Sequence, residues 1–335
     1  MIAHVHCCWR PVSRGLCLAL AVWACAFFFS VSQARAASLE SARQLYLTGR
    51  YEEAIEQYQS LKEKSAAAVA VGIARCEAAL GKSDEAIQRL EAATGNGDNA
   101  SPLHAELARL NFARGHYEQA RAACEKALSL NKDQPLARWI KSELHRVRGE
   151  FDRAEAGYDV LVEYYNENDD IDDLESLHAI GLAAAQQARW KRDSEQLGVL
   201  VTRFYHALLT REKNFWPAHL EMGRLFLEKY NQREATRQFN AALAINPNAA
   251  EVHVARAELA MLSYDLPRAN ASLERALAIN PNFYPALQLK SDALMADFRV
   301  RAAIDVLEQA REMNPRDEAT LGRLGGAYLF VDGLP

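Results

Sequence analysis

The residue types that usually carry chemistry are present but unassembled. Past residue 36 there are seven histidines (His104, His116, His145, His178, His206, His219 and His253), scattered and without a nucleophile at a paired spacing. No H-E-x-x-H helix to hold zinc, no G-x-S-x-G elbow to expose a serine, no phosphate loop and no glycine-rich dinucleotide turn occurs. Cys76 and Cys124 are too few and too far apart for a metal knuckle or a disulfide framework, and read as small buried hydrophobes. The stretch "NENDDIDDLE", Asn166 to Glu175, alternates oxygen donors as a calcium loop does, yet lacks the glycine on which such a loop turns. It reads as a solvated loop ending in a helix N-cap. These residues predict no catalytic site, no metal and no cofactor.

What the chain does repeat is a helix ending. "AALAINPN" at 241–248 returns as "RALAINPN" at 275–282 and, degraded to "QAREMNP", closes at Pro315, so that Pro247, Pro281 and Pro315 stand 34 apart. A fixed spacing of that size marks a stacked array. Ahead of each proline, small Ala235, Ala269 and Ala303 are followed four residues on by Phe239, Leu273 and Leu307, and three further by Ala242, Ala276 and Ala310. Offsets of 0, 4 and 7 share one helix face, where methyl groups admit a neighbouring helix and the large residue fills the gap. Ala54/Tyr58/Leu61, Ala86/Leu90/Ala93, Ala120/Cys124/Ala127 and Ala154/Tyr158/Leu161 extend the frame toward the amino end. A turn opening on Gly49, Gly81, Gly115 or Gly149 precedes each, and glycine accepts the left-handed backbone that ends a first helix. Each unit is therefore a helix-turn-helix hairpin.

The best copy, "WPAHLEMGRLFLEKYNQREATRQFNAALAINP", resembles the tetratricopeptide repeat. Met222-Gly223, Phe226, Ala235, Phe239, Ala242 and Pro247 occupy positions of its W-x2-L-G-x2-Y…A-x3-F…P pattern. The resemblance implies an all-α fold, a right-handed α-solenoid of stacked hairpins with about eight and a half repeats. Four repeats fill 37–165, an irregular one fills 166–215, and three plus a truncated one fill 216–335. Ala154 and Ala235 are 81 residues apart, two periods plus thirteen; Asp193 stands where the family carries a small residue, and the second helix, Ser194 to Asn214, runs long. Pro267 falls in the first turn of a helix, where it is tolerated. His219 and His253 share a repeat position that normally packs. The last copy supplies Leu324-Gly325 and Tyr328 of a first helix and reaches its turn at Asp332-Gly333 with no closing helix. It reads as a fragment of a longer chain, with Leu324, Tyr328, Leu329 and Phe330 turned to water.

In this family the first helices line an inner groove that binds extended peptides or partner helices. At one groove-facing position of that frame the sequence reads Arg43, Arg75, Arg109, Glu143, Leu182, Arg224, Glu258 and Asp292. Three successive guanidinium groups ~10 Å apart, beside Leu39, Tyr46, Val71 and Phe112, suit a clamp for an acidic or carboxylate-bearing extended segment of a protein or peptide partner. The alternative is that each arginine pairs with an acid of its own or the next helix. Leu39 and Arg43 replace the Lys and Asn of the family's carboxylate clamp, so binding of chaperone tails is not implied. Groove charge reverses at Glu258 and Asp292.

The chain opens on "MIAHVHCCWRPVSRG", basic and without acids, followed by the apolar run Leu16 to Val31 and Ala34-Arg35-Ala36. That order predicts a signal peptide over 1–36, hence a periplasmic or secreted protein, with inner-membrane anchoring if it stays uncleaved. Cleavage after Ala36 leaves 36 basic against 44 acidic side chains, which suits no nucleic acid, and membrane contact is expected only through an uncleaved leader. The expected function is an exported scaffold for protein partners. Its alternatives are the non-catalytic part of a larger exported metallopeptidase or glycosyltransferase, and a subunit of envelope or polysaccharide export machinery.

Overall fold

The computed structural model describes residues 38–61, 66–95, 100–168 and 171–332, and the leader read at 1–36 and Gly333 lie outside them. Helices follow in pairs: α1 Leu39–Leu47 and α2 Tyr51–Ser60; α3 Ala66–Ala79 and α4 Ser83–Gly95; α5 Ser101–Ala113 and α6 Tyr117–Leu130; α7 Pro135–Val147 and α8 Phe151–Glu167. The irregular repeat pairs α9 Leu174–Lys191 with α10 Ser194–Val199, a π-helical segment Leu200–Phe204 and α11 Tyr205–Arg211. The C-terminal array holds α12 Trp216–Glu228 and α13 Gln232–Ile245, α14 Ala250–Met261 and α15 Leu266–Ile279, α16 Tyr284–Ala296 and α17 Val300–Met313, then α18 Glu318–Asp332. Each helix packs on its chain neighbours and each array's first helices pack on one another, an α-solenoid with no strand among the described residues.

The small-large-small frame makes the core. Ala54, Ala86, Ala120, Ala154, Ala235, Ala269 and Ala303 are completely buried, as are Leu90, Cys124, Tyr158, Phe239 and Leu307. Gly223 shows why the frame is tight: a Cβ there would stand 2.3 Å from the Phe239 ring. Cys76 and Cys124 are buried free thiols that burial pushes up to about 12, which keeps them protonated. Leu324 departs from expectation, because it packs on Leu307 and is buried, whereas Tyr328, Leu329 and Phe330 are exposed.

All hairpins turn through a left-handed residue five positions before the small residue of the second helix. Gly49, Gly81, Gly115 and Gly149 do so at φ of 71 to 82°, and Arg192, Tyr230, Tyr264 and Phe298 at 54 to 58°. Arg192 corrects the register of the irregular repeat: the small-residue position falls on Leu197, not Asp193. Asp193 is the N-cap of α10 and accepts from the N–H groups of Glu195 (3.0 Å) and Gln196 (2.9 Å). Pro267 lies in the first turn of α15 as expected.

The Asn-Pro endings do more than stop helices. In each, the first asparagine's Oδ1 accepts the N–H two residues on, at Asn248 (2.9 Å), Asn282 (3.0 Å) and Arg316 (3.1 Å), which shapes the turn. Its Nδ2 reaches back across the coil to the N-terminal hairpin turns. Asn246 donates to Tyr51 Oη (3.0 Å), Asn280 to the Ala78 carbonyl (3.2 Å) and Asn314 to the Ala113 carbonyl (3.2 Å). Asn248 and Asn282 add bonds to the carbonyls of Gly49 (3.0 Å) and Gly81 (2.9 Å). A Cβ on Gly49, Gly81 or Gly115 would meet the opposing asparagine Oδ1 at 2.1, 2.7 or 2.2 Å, so glycine serves close approach as well as backbone conformation. One superhelical turn is thereby fastened to the next, and the inner trough becomes a chamber walled by both arrays.

Candidate partner-binding groove

The three arginines of the N-terminal array face the inner side, and each meets a carboxylate of the chain itself. Glu106, three residues before Arg109 on α5 and completely buried, accepts from Arg109 Nη2 (2.5 Å) and from Arg75 Nε (3.1 Å). Glu175 stands 3.4 Å from Arg75 Nη1 and 3.9 Å from Arg43 Nη2, and Glu212 is 3.9 Å from Arg43 Nη1. Burial pulls the Glu106 carboxyl upward, but Arg109 and Arg75 outweigh it and hold it down at about 2. Burial likewise opposes charge on Arg75, and Glu106 and Glu175 reverse that effect and raise its pKa. For Arg75 and Arg109 the pairing alternative therefore describes the geometry, in a buried form rather than the solvated one expected. Glu175, read from sequence as part of a solvated loop, is corrected as well: Asp173 caps α9 through the Ser176 N–H (2.9 Å), and this turns Glu175 inward.

The chamber encloses ≈ 680 Å³, with Tyr46, Arg75, Arg109, Glu175, Leu182 and Arg224 in its walls. A side cavity of ≈ 360 Å³ holds Leu39, Arg43 and Val71, and Tyr46, Arg75 and Glu175 line both spaces. Three expected groove residues lie elsewhere. Phe112 stacks on Tyr117 at 5.5 Å, in the packing between α5 and α6. Asp292 accepts from Arg323 Nε and Nη2, both at 2.8 Å. Glu258 is half-buried outside both spaces, and burial raises its carboxyl pKa against the opposing pull of Arg224. His219 and His253 do packing service, bonded to Gln238 Oε1 (2.7 Å) and to the Pro247 carbonyl (3.0 Å).

Sequence reasoning missed Glu106, Glu175, Glu212 and Glu221, the last accepting from Arg224 Nη1 at 2.9 Å. A signal existed for two of them: Glu-x-x-Arg recurs at Glu106/Arg109, Glu143/Arg146 and Glu221/Arg224, an i, i+3 spacing that places both side chains on one helix face. Two further chamber-wall residues, His178 and Trp216, keep buried ring nitrogens (Nε2 and Nε1) without a hydrogen-bond partner, and burial lowers the His178 pKa.

A tetratricopeptide repeat family model matches residues 39–101 and 105–169, over the hairpins α1 to α8. Residues 39–169 of this chain are thus tetratricopeptide repeats. Among solved structures, the repeat protein aligns at a TM-score of 0.51 and 12% identity with a chain of the APC/C hetero-tetramer Cut9-Hcn1, covering 92% of this chain and 59% of that one. It thus spans less than two thirds of that chain, and at such identity the likeness is one of fold. A tetratricopeptide repeat protein from Parabacteroides merdae aligns at 0.49 and 20% identity, over 83% of this chain and 98% of that one. PilW, a type IV pilus biogenesis factor, aligns at 0.42 and 19% identity, over 67% and 98%. No curated protein matches the sequence.

Proposed function

We propose that this tetratricopeptide repeat protein is an exported interaction scaffold whose chamber takes an extended, carboxylate-bearing segment of a protein partner. Glu175 carries the reading. It is the chain's own carboxylate, set against Arg43 and Arg75 where the chamber and its side cavity meet, as a partner's acid would be. Its side chain is 24% exposed and it arrives from a separate repeat, whereas Glu106 is sealed beneath the arginines. Glu106 thus belongs to the framework and Glu175 is the displaceable occupant. A preformed chamber also spares most of the ordering cost on the protein side.

Arg43 is the residue on which to reverse charge, because its partners are half-buried, while reversing Arg75 or Arg109 would strand Glu106. Anisotropy of a labelled acidic peptide is expected to report several-fold tighter binding to E175Q and weaker binding to R43E. Equal affinity for wild type, E175Q and R43E would remove the proposal. Export rests on the basic-apolar-small order of residues 1–36; among the described residues no helix is long and apolar enough to cross a membrane. Cell fractionation tests that part separately.

A further inference from the structure

The hairpin turns of the C-terminal array break two local rules at three consecutive repeats. The left-handed position, glycine in the N-terminal array, is Tyr230, Tyr264 and Phe298. A bulky residue is strained there, by ~1–2 kcal/mol, yet these rings gain little packing: they are 84%, 84% and 89% exposed. The first turn of the following helix also loses acids, although Arg153 already stands beside Asp152 in α8. In the N-terminal array it carries Glu52 and Glu53, Asp84 and Glu85, Glu118, and Asp152, which suit the positive end of the helix dipole. In the C-terminal array Glu234 is the one acid of those three first turns, and Arg233, Arg268 and Arg301 stand there against the dipole. Lys229 and Arg299 flank the rings, and Lys229, Arg233, Arg299 and Arg301 have no ion pair among the described residues. Asp265, paired with Arg268, Glu228, paired with Arg189, Glu234, paired with Arg237, and exposed Asp297 are the acids beside them.

Two repeated local costs on one edge, without a packing return, point to a contact outside the chain. A further Asn-Pro ending is not the occupant, since that fastening needs glycine where these side chains stand. We propose that this edge rests on an anionic lipid surface, with Tyr230, Tyr264 and Phe298 at headgroup depth and the five cations on lipid phosphates. Adjacent helices set the rings at ~10 Å steps along one edge, and aromatic rings flanked by Lys and Arg are the side chains that bilayer interfaces hold. The five cations stand on this edge of a chain that is acidic overall and that carries an apolar run at Leu16 to Val31. The contact is independent of the chamber and of its partner.

The test is hydrogen exchange of the full-length protein with phosphatidylcholine vesicles, with and without added phosphatidylglycerol. Slowed exchange is expected across residues 229–233, 262–268 and 297–301 only with the anionic lipid, and the apparent affinity should fall about five-fold for each Arg→Gln change. Y230G/Y264G/F298G places at each turn the residue the N-terminal turns use, so it folds, and it should lose the protection. Protection unchanged in that variant, or none with anionic vesicles, overturns the proposal. Protection that grows with protein concentration in the absence of lipid would assign the edge to a second copy and overturn it equally.

Discussion

The two arrays share one repeat and use its turn in opposite ways. In the N-terminal array the turns at Gly49, Gly81 and Gly115 are pressed against Asn-Pro endings of the next coil, and Arg75 and Arg109 beneath are locked on buried Glu106. In the C-terminal array the same turn position carries exposed rings, and an acid, Asp292, takes the place of the groove arginine and pairs with half-exposed Arg323. A repeat is thus a backbone rule. A turn becomes an internal fastening where glycine meets an opposing Asn-Pro ending, and an outward-facing edge where a ring takes the glycine's place.

The sharpest way to separate the arrays is Glu106→Ala, which leaves Arg109 unpaired and Arg75 with Glu175 alone; denaturant unfolding should show a loss of about 3 kcal/mol. Asp292→Asn should cost less than ~1 kcal/mol, and similar losses for both would erase the distinction. Glu106 also sets an acid limit. Its folded pKa lies below the ordinary 4.5, so its stabilisation is complete above that value and is lost as pH falls through about 2. The acid branch of the unfolding curve should flatten in Glu106→Gln.

Next in size, Gly49→Ala and Gly115→Ala combine left-handed strain with a clash against Asn246 or Asn314 and should cost ~2 kcal/mol each. Gly149→Ala, where nothing lies within 4 Å of the added methyl, should cost ~1 kcal/mol. Equal melting-temperature drops for the three would mean that the fastening contributes no stability. The smallest effect is of opposite sign: Tyr264→Gly should raise stability by up to ~1 kcal/mol, and a loss would mean that the ring packs more than its exposure indicates.

Much of this fold was legible because its rules are local. Ala235, Phe239 and Ala242 announce a face, and Gly49 announces a turn, within one period. The irregular repeat was misregistered because its turn residue is Arg192, a left-handed position without the glycine that would mark it. The second duty of Asn246 was invisible since its partner, Tyr51, lies 195 residues away and no local pattern encodes the pitch of the coil. Glu175 was assigned to water for the same reason: its arginines come from other repeats. Phe112 fits the groove frame by position, but a neighbouring ring at Tyr117 claims it first.

The buried asparagines also determine how the coil would respond to load. Pulled along its axis, it would first lengthen in steps, Asn246, Asn280 and Asn314 each leaving its seat one after another while every hairpin stayed intact. The molecule is a spring with three catches.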